Sequence, residues 1–120
     1  MARVPELEDI LNEKFESPAV KSKTLVSRSG MHIAGKVPST AHLETYVAMS
    51  AIIHGAADPI ASELGDKLKF IRIDMEGCQL ILLGLAGKAI LAIQATKEFK
   101  PEEALKRAQD LLDADIERHL

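Results

Sequence analysis

The chain has little cysteine and no long apolar run. Its single cysteine, Cys78, cannot form a disulfide within the chain, which is typical of proteins from a reducing compartment. The longest apolar stretch, Leu80 to Gly87, is far shorter than the roughly 18 residues that indicate a membrane span. The N-terminal residues turn acidic at once and lack the apolar core of a signal peptide. We therefore expect a cytoplasmic protein without a membrane span.

The chain also lacks an excess of positive charge and is poor in aromatic residues. It carries 15 basic and 18 acidic residues, a formal net charge of −3, and only 3% aromatic residues without any tryptophan. Nucleic-acid binding needs a basic surface for the phosphates and often uses aromatic side chains to stack the bases. We expect no nucleic-acid partner.

Patterns that indicate catalysis or cofactor binding are missing as well. Gly87-Lys88 is reminiscent of a phosphate-binding loop, but Leu82 stands where the leading glycine is required and Ala89 replaces the serine or threonine. Ser27 and Ser29 lie near a histidine without an acid or an oxyanion loop. The four histidines have no spacing typical of metal ligands; they are His32, His42, His54 and His119. We predict no catalytic, cofactor-binding or metal-binding residue, and no enzyme.

The hydrophobic pattern of the 120 residues predicts one domain, spanning residues 1–120, with three helices and five strands. The predicted order is a helix from Val4 to Phe15, strands at 19–27 and 31–37, a helix from Ala41 to Leu64, strands at 67–75, 79–85 and 88–95, and a helix from Pro101 that includes Leu111, Leu112 and Ile116. This order predicts a mixed α/β (α+β) fold. A five-stranded antiparallel sheet should carry the central helix on one face and the two terminal helices on the other.

The central helix is apolar on two sides. A stripe of large side chains should cover the sheet; it consists of Tyr46, Met49, Ile53, Ala56 and Ile60. The opposite side has small residues and Asp58 where a solvated helix would carry many charges; they are Ala48, Ala51, Gly55 and Ser62. A chain of this size has no further segment to cover that side, so we expect a second copy of the protein to do so.

Local signals predict how the central helix begins, continues and ends. Thr40 or Ser39 should cap its N-terminus, and Gly65 should end it. Pro59 should kink or break it, because proline removes a backbone hydrogen bond and clashes with the carbonyl of Gly55. His54 and Asp58 are four residues apart and are expected to form an ordinary surface pair.

The third predicted strand has the pattern of a sheet edge. Its charged residues alternate poorly with the apolar residues Leu68, Phe70, Ile71 and Ile73. Such an edge is either protected by its charges or pairs with the same strand of a second copy.

The sequence resembles the roadblock dynein-light-chain family over about Leu7 to Leu112. The resemblance is carried by Ser27-Arg28-Ser29-Gly30-Met31-His32-Ile33-Ala34, by the alanine-rich helix that ends Glu63-Leu64-Gly65, and by the strand from Leu80 to Leu85. It implies a roadblock/profilin-like sandwich and a homodimer in which the central helices stack and the third strands pair. The predicted dimer interface consists of Ala48, Ala51, Ile52, Gly55, Lys69, Ile71 and Ile73.

The resemblance also implies function through partners. Members of this family regulate small Ras-like GTPases, as activating proteins of bacterial polarity systems do, or scaffold motor and lysosomal-signalling complexes without hydrolysing GTP themselves. We therefore expect a non-catalytic homodimeric module that binds and regulates a small Ras-like GTPase or scaffolds a signalling or motor complex. The alternative is a small-ligand sensor, since a sheet between helices often holds a pocket.

Overall fold

The computed structural model describes residues 4–85 and 87–114 and confirms the predicted order of elements. The elements are α1 (Val4–Lys14), β1 (Val20–Ser27), β2 (His32–Lys36), α2 (Leu43–Glu63), β3 (Ile71–Asp74), β4 (Gln79–Leu85), β5 (Ala89–Ala95) and α3 (Pro101–Ala114). The predicted strand at 67–75 is shortened to four residues. The side chains of Leu111 and Leu112, and the whole of Ile116, lie outside the described part of the chain.

The five strands form one antiparallel sheet in the order β2-β1-β5-β4-β3. In this order β2 and β3 lie at the two edges of the sheet, and β5 lies in the centre. β5 pairs with β1 from Ser27 opposite Ala89 to Val20 opposite Ala95, and with β4 from Leu85 opposite Ala89 to Gln79 opposite Ala95. The apolar character of β4 and β5 follows from this position, since central strands are covered on both faces.

Helices cover both faces of the sheet, as the sequence predicts. On one face α1 packs against β2 and α3 against β4, and Leu7, Leu11 and Ala104 are buried in one apolar cluster with Ile81 and Leu83. The other face carries α2 over a smaller apolar cluster, formed by Val26, Val47, Ala51, Leu82, Ile90 and Ala92. The fold is therefore an α+β sandwich of helices, sheet and helix.

The ends of α2 differ in how well local sequence predicts them. The helix begins at Leu43 after His42, which makes no side-chain capping bond to the described residues, so the predicted cap by Thr40 or Ser39 is wrong. A turn in which the Ala41 N–H donates to the Pro38 carbonyl precedes it. At the other end, Gly65 has φ +68° and its N–H donates to the carbonyl of Ser62, while the N–H of Asp66 donates to the carbonyl of Ala61. This Schellman motif confirms that Gly65 ends the helix.

Pro59 lies within α2 without dividing it. The helix continues from Leu43 to Glu63 as one element of 21 residues, so the predicted break is wrong. Both Pro59 and Gly55 are exposed, so the carbonyl that loses its partner faces solvent. Solvent has access to that carbonyl, which makes the proline tolerable at this site.

Candidate functional site

The solvent-facing side of α2, hereafter the outer face, is apolar. It consists of Met49, Ile52, Gly55, Ala56 and Ile60, all of which are exposed. The side chains of Met49, Ile52 and Ile60 expose 51%, 61% and 61% of their surface. Three large apolar side chains on one helical face are unusual in a solvated helix, where charged residues normally stand.

This finding corrects the predicted orientation of α2. The buried residues of the helix are Val47, Ser50, Ala51 and His54, whereas Met49, Ala56 and Ile60 of the predicted sheet-covering stripe point to solvent. The helix is turned by roughly a third of a turn from the predicted position. Small side chains face the sheet because the helix lies close to it. A Cβ added to Gly30 of the β1–β2 turn would lie 3.3 Å from the Cα of Ala48.

The predicted interface residues divide into two groups. Ala48 and Ala51 lie against Gly30 within the chain, and Ala51 exposes only 8% of its surface, which leaves little area for a second copy. Ile52 and Gly55 lie on the outer face. The four-residue edge strand carries the other predicted positions: Ile71 and Ile73 are half-buried on β3, and Lys69 is exposed just before it.

β3 leaves backbone hydrogen-bonding groups free at the edge of the sheet. The N–H of Met75 donates to the carbonyl of Cys78 at 3.0 Å, so these two residues form a hydrogen-bonded pair of the β3–β4 hairpin, and the register makes Arg72 and Asp74 non-hydrogen-bonded positions. Hydrogen-bonded and non-bonded pairs alternate in antiparallel sheets, so the N–H and C=O groups of Arg72 and Asp74 point away from β4. Within the described residues no strand lies beyond β3.

The opposite edge is closed by side chains. Gly35 of β2 stands opposite Thr24 in the position whose N–H and C=O point away from β1. The Gly35 N–H donates to a carboxylate oxygen of Glu8 on α1 at 2.7 Å, and its carbonyl accepts from Nε2 of His32 at 2.7 Å. α1 thus protects β2 from pairing with another strand, which leaves β3 as the open edge.

A polar cluster anchors the middle of α2 to the β1–β2 turn and to β4. Asp58 accepts from Arg28 at 3.2 Å, and the His54 ring packs over Gly84, where a Cβ would lie 3.2 Å from Nε2. Burial lowers the pKa of His54, the charge of Arg28 lowers it further, and Asp58 partly opposes this effect. His54 exposes only 3% of its surface, so the predicted surface pair with Asp58 is wrong.

Two adjoining depressions lie between the N-terminal end of α2 and the β3–β4 turn. The inner one, about 330 Å³, is lined by Tyr46, Met75, Cys78 and Leu80, among others. The outer one, about 640 Å³, carries two lysines, Lys21 and Lys36, and shares Pro38, Thr40, Cys78 and Gln94 with the first. Burial raises the pKa of the Tyr46 phenol to about 12, while Ser22 partly opposes the shift and Cys78 adds to it.

The serines and the histidine of the first hairpin have structural contacts. Ser27 Oγ accepts from the N–H of Met31 at 2.9 Å and lies 2.9 Å from Ser29 Oγ, while His32 is bound to Gly35. These bonds stabilise the β1–β2 turn. Across the described residues, no three His, Cys, Asp or Glu side chains form a group that could hold a metal ion. None of the helices in that part of the chain is long and apolar enough to cross a bilayer.

Together these features define an α+β sandwich with one closed sheet edge, one open edge and an apolar outer helix face. The profile of the Roadblock/LC7 domain matches residues 6–95, and the chain belongs to that family. No curated protein matches its sequence.

Solved structures share the fold at low sequence identity. An MglB protein described with a tetrameric arrangement is 20% identical, with 98% of this chain and 92% of that chain covered and a TM-score of 0.79. Myxococcus xanthus MglB is 11% identical, with 90% and 93% covered and a TM-score of 0.78. Profilin IA of Acanthamoeba castellanii is 15% identical, with 94% and 98% covered and a TM-score of 0.60. The roadblock and profilin-like fold is thereby confirmed.

Proposed function

We propose that the chain is a non-catalytic, homodimeric module that binds and regulates a small Ras-like GTPase or scaffolds a signalling or motor complex. The observation that carries self-association is the apolar outer face of α2, with Ile52 and Ile60 each 61% exposed. Membership of the Roadblock/LC7 family supports the GTPase partner, because regulation of such GTPases is what the resemblance implies.

The two open surfaces explain why a second copy is the first partner. Burial of apolar side chains contributes roughly 25 cal/mol per Å², and exposed Met49, Ile52 and Ile60 are available for it without any change in the fold. β3 offers free N–H and C=O groups to an incoming strand. Self-association through these surfaces leaves the side of the sheet that carries α1 and α3 accessible to another protein.

Sedimentation velocity of the purified chain tests self-association directly. A dimer at micromolar concentration is expected, and the variant Ile52→Lys should sediment as a monomer because a charged side chain cannot be buried without a partner. Gln109→Lys, at an exposed position of α3 on the opposite face of the sheet, serves as the matched control. A monomeric wild-type chain would contradict the homodimer.

Titration calorimetry with small Ras-like GTPases encoded in the same genome tests the partner. Each GTPase is loaded with GDP or with a non-hydrolysable GTP analogue, and binding that depends on the nucleotide is expected for at least one of them. Single-turnover GTP hydrolysis with and without the chain then separates an activator from a passive binder. A genome-wide panel of such GTPases that gives no binding in either state would refute this partner class.

The second candidate, a small-ligand sensor, is favoured by the inner depression. Its apolar lining includes Tyr46 and Leu80, and the lysines of the adjoining depression would suit an anionic group. A ligand that binds only the folded state must raise the melting temperature. A thermal-shift screen with carboxylates and phosphorylated metabolites tests this candidate, and a flat response across the screen would count against it.

A further inference from the structure

The open edge of the sheet carries two opposite charges at neighbouring outward positions. Arg72 and Asp74 are exposed on β3, and their side chains lie 3.4 Å apart at the closest N–O distance. Ile71 packs into the apolar cluster beneath α2, so the alternation of the strand places Arg72 and Asp74 on the other face of the sheet. The same two residues present the free backbone groups of the edge.

These free groups limit how β3 can pair with the β3 of a second copy. Two-fold symmetry requires antiparallel strands, and the outward N–H and C=O groups belong to the even-numbered residues. Even-numbered residues must therefore stand opposite even-numbered residues. Two registers keep most of β3 paired: one centred on Arg72 and one centred on Ile73.

Charge distinguishes the two registers. Centring on Arg72 places this guanidinium opposite its own copy, and like charges directly opposite one another are unfavourable. Centring on Ile73 places each Arg72 opposite Asp74 of the second copy, twice by symmetry. It also places Ile71 opposite Met75, an apolar side chain that is 42% exposed in the single chain. Both contrasts favour the register centred on Ile73.

We propose that β3 pairs with the β3 of a second copy in the register centred on Ile73, and that Arg72 and Asp74 select the partner. This inference rests on the proposed self-association. The two residues act as a self-recognition pair, because a chain with one sign of charge at both positions cannot match its own copy. Such a chain matches a partner that carries the opposite sign at both positions.

Charge-reversal variants test this pairing. Arg72→Asp and Asp74→Arg alone should each weaken the homodimer by roughly tenfold or more, and the double variant Arg72→Asp/Asp74→Arg should restore it. An equimolar mixture of the two single variants, given distinguishable masses, should form heterodimers almost exclusively by native mass spectrometry. Lys88→Asp, a reversal in the β4–β5 turn, should leave the homodimer unchanged. Circular dichroism verifies that each variant is folded.

Cysteine cross-linking in a Cys78→Ser background locates the symmetry axis. Ile73→Cys should form an intermolecular disulfide under mild oxidation, because residues at the axis of this register form a close non-hydrogen-bonded pair. Arg72→Cys should cross-link less efficiently than Ile73→Cys, and an axis through residue 72 would reverse this order because the two copies of residue 72 would then stand directly opposite each other. If the wild-type chain is a dimer, neither charge reversal weakens it and the cross-links form elsewhere, the register is overturned but the self-association is not. A wild-type monomer overturns the self-association on which it rests.

Discussion

At the scale of single residues, backbone geometry and burial set requirements that composition does not reveal. Gly35 has φ +84° and lies where a Cβ would overlap the carbonyl oxygen of Lys23 and lie 3.0 Å from the Cα of Thr24. The backbone N–H and carbonyl of Gly35 also form the two hydrogen bonds, to Glu8 and His32, that close the β2 edge. Gly77, in contrast, has open space around the position of a Cβ within the described chain.

Gly35→Ala should therefore destabilise the fold by at least about 2 kcal/mol, since the left-handed backbone and the overlap each disfavour a side chain. Urea unfolding followed by circular dichroism measures the loss. Gly77→Ala is the matched control and should change the free energy of unfolding by less than about 1 kcal/mol. Equal stabilities for the two variants would show that the β1–β2 pairing relaxes around the new methyl group.

Tyr46 is the single tyrosine of the chain, so its ionisation can be followed by absorbance alone. Burial raises its pKa to about 12, and the midpoint in the folded protein should lie near that value, against about 10 in urea. Because the folded pKa is the higher one, the contribution to stability is complete below pH 10 and is lost as the pH rises from 10 towards 12. A folded-state midpoint near 10 would show that solvent reaches the phenol.

At the scale of elements, α2 is the case in which the sequence pattern misleads. Its apolar residues occupy two sides, and the larger ones were expected to cover the sheet. The structure instead buries small residues such as Ser50 and Ala51, while Met49 and Ile60 remain outside. α2 lies close to the β1–β2 turn, where a Cβ on Gly30 would be 3.3 Å from the Cα of Ala48, and this close approach favours small side chains there. The outer face is therefore the part of α2 that a partner can bury.

Gly55→Leu separates the stability of the helix from contact through its outer face. No described atom lies within 4 Å of a Cβ at this position, and leucine is a better helix former than glycine by roughly 0.8 kcal/mol. The melting temperature of the dilute chain should stay the same or rise. The dimer should weaken, since a close helix contact cannot absorb the added bulk. Sedimentation and thermal unfolding together measure both effects, and an unchanged dimer would exclude Gly55 from the contact.

At the scale of the whole molecule, the sheet has one closed and one open edge. Within the described residues, Glu8 and His32 occupy the outward groups of Gly35 on β2, whereas the outward groups of β3 are free, so β3 is the edge at which the sheet is most readily extended. A two-fold axis through β3 would join two five-stranded sheets into a continuous one. It would also place Ile73 and Met75 of both copies together on the face that carries α2.

If self-association stabilises the folded chain, its melting temperature must depend on protein concentration. A tenfold increase in concentration should raise it by roughly 2–5 °C, because mass action favours the state that binds its partner. Differential scanning calorimetry over a hundredfold concentration range measures the shift. The Ile52→Lys variant should show a melting temperature independent of concentration. A wild-type value that stays constant over this range would show that unfolding is not coupled to assembly.

The sequence by itself determined the element order, the antiparallel sheet and the helix end at Gly65, because these follow from local signals: periodicity, turn residues and a backbone conformation that glycine favours. Tertiary structure decided which side of α2 faces the sheet, that His54 is buried, and which sheet edge is open. The physical reason is that these features depend on contacts between residues far apart in the chain, such as Gly30 with Ala48 and Glu8 with Gly35. Hydrophobic periodicity can show that a helix has two apolar sides, but only packing against the sheet selects one of them.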